Sequence, residues 1–258
     1  AQSEFVDAND KVYRFLDRMS SNHIIKHYNS FEIPITRKKV TGYLKDILMN
    51  KEKLNNEDIA LLDYFANKYA FDLSDDISSV ISIGKSHYDF FSEKERFLYA
   101  FSKKDTLNLF INLIAKGNYV FSNREITGEG ISYNGLLGIY GGEIRGTILN
   151  RIGFHLYGDN GTLRGDKGIS ESIEELKYNF KFNEKDDESF FDKTYGYLNI
   201  DFDFVRFKIG NDYRKIGYGR LSPIVNDPFV GLSYFDFKID FSFFTYSFVH
   251  SKLMGDYK

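Results

Sequence analysis

The chain of 258 residues contains no cysteine and no tryptophan. Without cysteine, disulfide bonds and thiol chemistry are excluded, and this absence fits an exported protein. A formal net charge of -3 and a pI near 6.0 give no electrostatic basis for binding nucleic acid. No apolar run approaches the roughly 18 residues of a membrane-spanning helix. The opening Ala1-Gln2-Ser3 carries no visible signal peptide, and we interpret it as a mature terminus left after cleavage.

Aromatic residues are abundant, with 26 Phe and 19 Tyr making up 17% of the chain. A soluble domain rarely needs so many. A β-structure with lipid outside and water inside uses them as outward apolar residues and as girdles at the membrane surface.

The first 70 residues have the pattern of short amphipathic helices. We expect a cap at Asn9-Asp10 for the first helix, Thr36 as the N-cap of the second, and Asn55 or Asn56 as the cap of the third. We therefore predict a helical domain over 1–70, followed by a connector over 71–105 with one or two strands.

From residue 106 to residue 258 the sequence predicts β-structure throughout. The alternation is clearest over 193–204, where Leu198, Ile200 and Phe202 share an apolar face with Phe204. The opposite face carries polar and amphipathic residues, among them Asn199 and Asp201. This period of two indicates strands with two different surroundings.

The predicted links alternate between short and long. Tight links are expected near 149–150, 203–205 and 238–240, and long links near 122–132, 159–192 and 211–228. Such alternation is typical of an outer-membrane barrel, with short periplasmic turns and long extracellular loops. The predicted strands are 106–121, 133–148, 151–158, 193–203, 205–210, 229–237 and 241–251, with 174–182 left as a possible extra strand inside a long loop.

The fold class predicted from these patterns is an all-β antiparallel transmembrane barrel, a meander with a small helical periplasmic region at its start. Seven strands is an odd number, whereas bacterial barrels formed from one chain have an even number of at least eight. We therefore expect this chain to be part of a longer barrel, or another chain to close its edges.

Two groups of charged residues are candidate ligand contacts. Asp201 and Asp203 are expected to face the lumen, with Arg206 and Lys208 on the next strand. They could contact polysaccharide or select solutes, or they could simply form cross-strand pairs in a hydrated interior.

The second group lies in one predicted long loop and contains Tyr213, Arg214, Lys215, Tyr218 and Arg220. Cations beside aromatic rings suit an acidic polysaccharide through charge and ring stacking. The same residues could instead fold the loop over the mouth of a barrel.

No catalytic, cofactor or metal site is predicted. The sequence lacks nucleophile-elbow, Walker and dinucleotide motifs, and its histidines show no dependable ligand spacing. Asp159-Asn160-Gly161 with Asp166 faintly suggests a calcium loop, but a turn is the better interpretation.

Two blocks resemble the Wzi-like capsule-assembly family of outer-membrane β-barrels. VYRFLDRMSSNHIIKHYNSFEIPITRKKVTGYL (12–44) is similar to its helical leader, in which a proline and a Ser/Thr-Arg pair precede the next helix. FVRFKIGNDYRKIGYGRLSPIVNDPF (204–229) resembles its strand and Gly-rich loop, with Ile216-Gly217-Tyr218-Gly219 where Trp-Gly-Pro-Gly is usual. The chain departs from the family in lacking tryptophan and a terminal aromatic strand, and in being shorter than the family's large barrel.

The resemblance implies a non-enzymatic protein of the bacterial outer membrane with its helices in the periplasm. Its implied role is the assembly or lectin-like retention of capsular or surface polysaccharide. Outer-membrane lipid and surface polysaccharide are the expected partners, with other envelope proteins also possible. A porin, a structural subunit of a larger envelope assembly, and a soluble α+β enzyme are the alternatives.

Overall fold

The computed structural model describes residues 2–83, 94–126, 129–166, 180–183, 188–217, 231–241 and 243–252. Four helices come first: α1 (Val12–Ser21), α2 (Arg37–Met49), α3 (Asn56–Lys68) and α4 (Ala70–Ser74). Single 3-10 turns cover Lys51–Lys53 and Ile77–Ser79. The predicted caps of α2 and α3 are confirmed, because Thr36 accepts a hydrogen bond from the Lys39 backbone and Asn55 accepts one from that of Asp58. Before α1, the Asp10 carboxylate accepts from the Val12 backbone N–H at 2.9 Å.

The helices pack around one apolar core. Val12, Leu16, Met19, Val40 and Leu44 are completely buried there. Burying such side chains contributes roughly 1.5–3 kcal/mol each. We call residues 2–79 the helical region, and Gln2–Val6 within it the N-terminal segment.

The strands are β1 (Glu32–Ile33), β2 (Ile81–Ser82), β3 (Arg96–Phe97), β4 (Tyr99–Lys103), β5 (Leu107–Ile126), β6 (Glu129–Ile148), β7 (Ile152–Gly165), β8 (Phe180–Asn183), β9 (Glu188–Asp201), β10 (Val205–Asp212), β11 (Lys215–Ile216), β12 (Leu232–Phe241) and β13 (Phe244–Lys252). Eight of them form an antiparallel meander in the order β13-β12-β10-β9-β7-β6-β5-β4, and β8 pairs with β9. Two small sheets, β1-β11 and β2-β3, accompany it. The antiparallel meander is confirmed, but β13 and β4 remain the two ends of an unclosed sheet.

Three predictions about strands and links are wrong. The meander has eight strands rather than seven, because β4 in the predicted connector pairs with β5. Most of the expected long link at 122–132 belongs to paired strands, since β5 and β6 stay hydrogen-bonded as far as Ile126 opposite Glu129. The turn expected at 238–240 lies beyond Phe241, where β12 ends. Polar and Gly-rich residues continue a strand when a neighbouring backbone satisfies their hydrogen bonds.

The segment 159–192 is also more regular than predicted. Asp159, Asn160 and Gly161 lie inside β7, where they pair with β9, so the expected turn is absent there. Phe180–Asn183 forms β8, in the segment left as a possible extra strand.

Four short links lie at one end of the sheet, which we call the turn end. They follow β4, β6, β9 and β12, at residues 104–106, 149–151, 202–204 and 242–243. At the opposite end, β7 connects to β9 and β10 to β12 through much longer stretches of chain, whereas only residues 127–128 separate β5 from β6.

The helical region covers one face of the sheet, here called the polar face. Its buried positions alternate along the strands and include Asn108, Arg145, Thr147, Tyr197, Asn199, Arg206, Lys208, Tyr234 and Asp236. The opposite, apolar face exposes large side chains, including Leu113, Leu156, Leu198, Ile209 and Phe248. The alternation predicted over 193–204 is therefore confirmed as far as Asp201, where β9 ends, and its polar side is the one that is covered.

Candidate functional site

The structure places four predicted site residues beneath the helical region. Arg206, Lys208, Tyr213 and Arg214 are all buried. Lys215 is partly buried in β11, which pairs with β1, so the start of the predicted long loop is a short strand. Tyr218 and Arg220 lie outside the residues that the structure describes.

Glu32 stands at the centre of a buried ion cluster on the polar face. Its carboxylate lies 2.6 Å from Arg214 Nη2 and 2.9 Å from Lys238 Nζ, with Arg206 Nη2 at 3.7 Å. Asp236 supplies a second carboxylate, 2.9 Å from Arg214. We call these five residues the Glu32 cluster. It joins β1 of the helical region to β10, β12 and the Arg214 segment.

The cations of this cluster determine the protonation of Glu32. Burial by itself would raise the pKa of the carboxyl group, but Lys238, Arg214 and Arg206 together lower it to about 2. Glu32 is therefore a carboxylate across the physiological pH range.

Lys208 lies beside this cluster and contacts the N-terminal segment. Its ammonium is 2.6 Å from Asp212 Oδ2, 3.9 Å from the centre of the Phe5 ring and 4.2 Å from that of Tyr197. Tyr197 Oη also accepts a hydrogen bond of 2.7 Å from the Phe5 backbone. Such cation–π contacts strengthen when water is removed, so Lys208 holds Phe5 against the sheet.

A second ion cluster lies nearer the first strands of the sheet. Arg37 contacts Asp72 at 2.6 Å and Glu95 at 2.9 Å. Arg145 of β6 contacts the same Glu95 at 3.2 Å and Glu4 at 3.4 Å. This Arg37–Arg145 cluster attaches α2, α4 and the N-terminal segment to the sheet.

Glu4 is the buried acidic member of the second cluster. Burial raises the pKa of Glu4, whereas Arg145 and the Thr147 hydroxyl oppose that rise. Thr147 Oγ1 donates a hydrogen bond of 2.5 Å to the Glu4 carboxylate. The same hydroxyl accepts from the Ser3 backbone N–H at 3.0 Å.

The two clusters change the interpretation of the predicted cations. Arg206, Lys208 and Arg214 all have carboxylate partners within 4 Å and little exposed surface. Asp201 lies opposite Arg206 across β9 and β10, as expected. The carboxylates that contact Arg206, Lys208 and Arg214 are nevertheless those of Glu32, Asp212 and Asp236. Asp203 is instead exposed in the turn after β9, 3.5 Å from Lys38.

Sequence reasoning missed Phe5, Glu4 and Glu32. Glu32 does carry a local signal, because it is a lone charge between Phe31 and Ile33. Nothing local identifies its partner, since Arg214 follows 182 positions later.

Farther from the turn end, the polar face carries an aromatic cluster. Tyr157 and Tyr195 stack with ring centres 4.3 Å apart, and Tyr195 meets Tyr213 edge-to-face at 5.3 Å. Lys193 Nζ lies 4.9 Å from the Tyr213 ring. Tyr157, Tyr195 and Lys193 are only partly buried, so they are accessible at the margin of the helical region.

Within the described residues, no group of three or more His, Asp or Glu side chains could hold a metal ion. None of the described helices is long and apolar enough to cross a membrane. No family model matches the chain, and no curated protein or solved structure matches it either.

Proposed function

We propose that the meander is part of the wall of an outer-membrane β-barrel, with the helical region bound to its polar face on the periplasmic side. In this proposal the protein is not an enzyme. It serves in the assembly or retention of capsular or other surface polysaccharide.

One observation carries the membrane proposal: the sheet exposes its apolar face and buries its polar one. An antiparallel sheet in water normally does the reverse, packing apolar side chains on the core and hydrating the polar ones. Exposed apolar patches larger than a few hundred Å² are rare on monomeric soluble proteins. A lipid environment would account for the exposed apolar face, because its outward apolar residues would then face hydrocarbon.

On five strands the apolar face ends at a similar level, whereas on β5 and β6 apolar outward residues continue to Phe121 and Leu136. Starting from the turn end, outward residues are apolar until Ser233 on β12, Asn211 on β10, Thr194 on β9, Asn160 on β7 and His250 on β13. The apolar part of each of these strands is five to seven residues long, or about 20 Å at about 3.3 Å per residue. Barrels in the outer membrane have an apolar band about 25 Å tall.

The arrangement of the links supports the orientation. Four short links lie at the turn end, and two long links lie at the other end beside the two-residue link between β5 and β6. Short periplasmic turns and longer extracellular loops are typical of outer-membrane barrels. The helical region contacts the turn end through Lys39 with Asp240 at 2.8 Å and Ser3 with the Asn150 carbonyl at 3.1 Å. The helices would then lie on the periplasmic side.

A porin is a weaker alternative. Its polar face would line an aqueous channel, whereas here the N-terminal segment and β1 lie on that face and neutralise its charges. A soluble enzyme is weaker still, because it would leave the apolar face in water.

The polysaccharide role rests on the resemblance of 12–44 and 204–229, and the accessible aromatic cluster is compatible with it. Tyrosine rings beside a lysine suit sugar rings that carry acidic groups. Lys193, Tyr157 and Tyr195 are therefore better residues to test than Arg214, whose replacement would disrupt the Glu32 cluster.

The membrane proposal is tested first, by extraction and gel mobility. We expect the protein to leave membranes only in detergent and to migrate differently in gels before and after heating. A freely soluble monomer would refute the proposal.

The polysaccharide role is tested separately, by pull-down with purified capsular polysaccharide. We expect Lys193→Ala and Tyr157→Ala to weaken capture, while Lys38→Ala, which removes an exposed charge of the helical region, leaves it unchanged. Equal capture by all variants would exclude the aromatic cluster. No capture by any chain would refute the role without affecting the membrane proposal.

A further inference from the structure

A groove on the surface of the helical region belongs neither to the two ion clusters nor to the aromatic cluster. It lies between the last turns of α1, where Asp17, Ser20 and Ser21 line it, and residues 27–30, which follow the helix. Its volume is about 540 Å³, and clefts that bind small ligands usually have about 300–1,000 Å³. We call it the α1 groove.

The two sides of the α1 groove are shaped by local structure. Ser20 and Ser21 follow Asp17 by three and four positions on α1, so the three side chains share one face of the helix. On the other side, His23 and His27 have left-handed backbone, with φ angles of 58° and 60°. Such angles are uncommon for residues other than glycine, and residues held in strained conformations cluster at sites that bind ligands.

Contacts with α2 and with the following chain hold the loop side of the groove in place. The Tyr28 and Tyr43 rings meet edge-to-face with centres 5.2 Å apart, and Tyr43 Oη donates a hydrogen bond of 3.3 Å to the His27 carbonyl. Asn29 Oδ1 accepts a hydrogen bond of 2.8 Å from the Phe31 backbone N–H. The groove is therefore largely preformed, as most ligand sites are.

Tyr28 brings an unsatisfied hydrogen-bonding group to the α1 groove. Its side chain is only partly buried, but its hydroxyl oxygen is covered and has no hydrogen-bond partner among the described residues. Burial raises the pKa of this hydroxyl, and the nearby Asp17 carboxylate raises it further, so the group keeps its proton. A covered hydroxyl without a partner carries a free-energy cost. A ring rotation that brings the hydroxyl to a ligand oxygen would remove this cost.

The composition of the lining indicates the class of ligand. Among the described residues that line the groove there is no lysine or arginine, and Asp17 supplies a carboxylate that disfavours anions. Only Tyr28 offers an aromatic ring, whereas pockets for apolar ligands are lined mainly by apolar side chains. The remaining hydroxyl, amide, imidazole and carboxylate groups provide both donors and acceptors, which the hydroxyl groups of a sugar also are.

We propose that the α1 groove binds a neutral sugar unit of a polysaccharide, with Asp17 accepting hydrogen bonds from it and Tyr28 donating one. This inference goes beyond the proposed function, because it assigns a second glycan site with a different charge preference. The cluster around Lys193 suits acidic sugars, whereas Asp17 repels them. The groove is formed by the helical region alone, so it does not depend on the membrane proposal.

The test is a titration of the full chain in a detergent without sugar headgroups, with ligand-observed NMR giving the dissociation constants. Maltohexaose and chitohexaose are the neutral probes, and we expect at least one of them to bind. Asp17→Asn should weaken this binding about 10-fold and Tyr28→Phe about 2- to 12-fold, as expected for losing a charged and a neutral hydrogen bond. Ser21→Tyr, which fills the groove from an exposed position, should abolish binding without changing the unfolding temperature.

The matched controls lie on α3, outside the groove. Asp63→Asn removes the carboxylate of an exposed pair with Lys51, and Tyr64→Phe removes the hydroxyl of an exposed tyrosine. Both should bind the neutral probes as the unmodified chain does. No binding of either neutral probe, or equal binding by the controls and by all three groove variants, would refute the site. Unchanged binding in Tyr28→Phe alone would refute the role of its hydroxyl.

An acidic hexasaccharide of galacturonic acid separates this inference from the polysaccharide site proposed above. We expect its binding to fall in Lys193→Ala, and binding of the neutral probes to fall in Asp17→Asn. A chain that binds only the neutral probes would support the α1 groove and count against the site at Lys193. A chain that binds only the acidic probe would refute the α1 groove and leave the site at Lys193 standing.

Discussion

The two faces of the sheet come from the same strands but are stabilised in opposite ways. On the polar face, charged side chains are buried and paired with carboxylates, as Arg214 is with Glu32 and Asp236. On the apolar face, Leu156 and Ile209 are each 58% exposed. The difference teaches that charge pairs and hydrogen bonds attach the helical region to the sheet, while the opposite face leaves large apolar side chains exposed.

The largest effect should follow from breaking the charge pairs of the polar face. Glu32→Gln keeps the shape of the side chain but leaves Arg206, Arg214 and Lys238 with one fewer carboxylate. Removing one partner of a buried ion pair costs about 3–5 kcal/mol. We expect chemical unfolding to report a loss of this size, with faster proteolysis of the helical region.

The matched control is Asp203→Asn, which removes the carboxylate of the exposed pair with Lys38. Exposed pairs contribute roughly 0–1 kcal/mol. Equal losses in Glu32→Gln and Asp203→Asn would mean that burial of the Glu32 cluster has no energetic consequence.

The same cluster predicts a dependence of stability on pH. The pKa of Glu32 is about 2 in the folded protein, against an ordinary value of 4.5. The ionised carboxylate therefore stabilises the folded state above about pH 4.5, and this contribution is lost as the pH falls toward 2. Its size is on the order of 3 kcal/mol.

The measurement is the difference in free energy of unfolding between the unmodified chain and Glu32→Gln across this range. Glu4 has the opposite effect on stability, because burial raises the pKa of its carboxyl group. Protonation of Glu4 at low pH therefore stabilises the folded state. Its effect cancels in the difference, since both chains contain Glu4. A difference that stays constant from pH 7 to pH 2 would contradict the assignment.

The apolar face is tested by introducing a charge. We expect Leu156→Arg, near the middle of the apolar part of β7, to cost about 2–4 kcal/mol in a bilayer. Asn160→Arg, on the same strand and face but beyond the apolar residues, should cost about 0–1 kcal/mol. Urea titrations of both variants in liposomes measure the contrast, and identical midpoints would exclude a lipid-facing surface.

A smaller effect should distinguish two glycines on the apolar side of β6. A Cβ at Gly146 would lie 2.3 Å from the Asn108 carbonyl oxygen, whereas a Cβ at Gly138 would meet nothing within 4 Å. We expect Gly146→Ala to cost about 1–3 kcal/mol through overpacking. Gly138→Ala should be neutral or stabilising by about 0.4–1 kcal/mol, because it restricts the unfolded chain. Unfolding midpoints that fall equally in the two variants would contradict the difference in space.

The sequence predicted the features that depend on near neighbours. Thr36 and Asn55 mark helix starts because a cap bonds to a backbone group three residues on, and the alternation around Leu198 follows from strand geometry. The sequence did not predict that β5 and β6 stay paired as far as Ile126 and Glu129. A polar, Gly-rich loop and a polar hairpin have the same amino-acid composition, so composition cannot distinguish them. Pairing with a neighbouring strand decides between the two, and the local pattern does not show which strand will be the neighbour.

The sequence identified three residues of the candidate site but not that they are buried and paired with carboxylates. Arg206, Lys208 and Arg214 do gather on one face, as charged residues on neighbouring strands should. Their burial depends on Glu32 and Phe5, which approach from more than 170 positions away in the sequence. A single sequence gives the charge of each side chain, while the partner that neutralises it depends on the tertiary fold.

The burial of Gln2–Val6 has a consequence for the order of folding. Ser3 and Phe5 bond to Thr147, Tyr197 and Asn199, which are separated from them by 144 to 196 positions. Because contacts at such long range form slowly, the segment has no place to dock until β6, β7 and β9 are paired. Residues that leave the ribosome before the strands would therefore reach their final position after them. During that interval, Phe5 and Val6 would be exposed, and a chaperone that shields apolar segments would speed productive assembly.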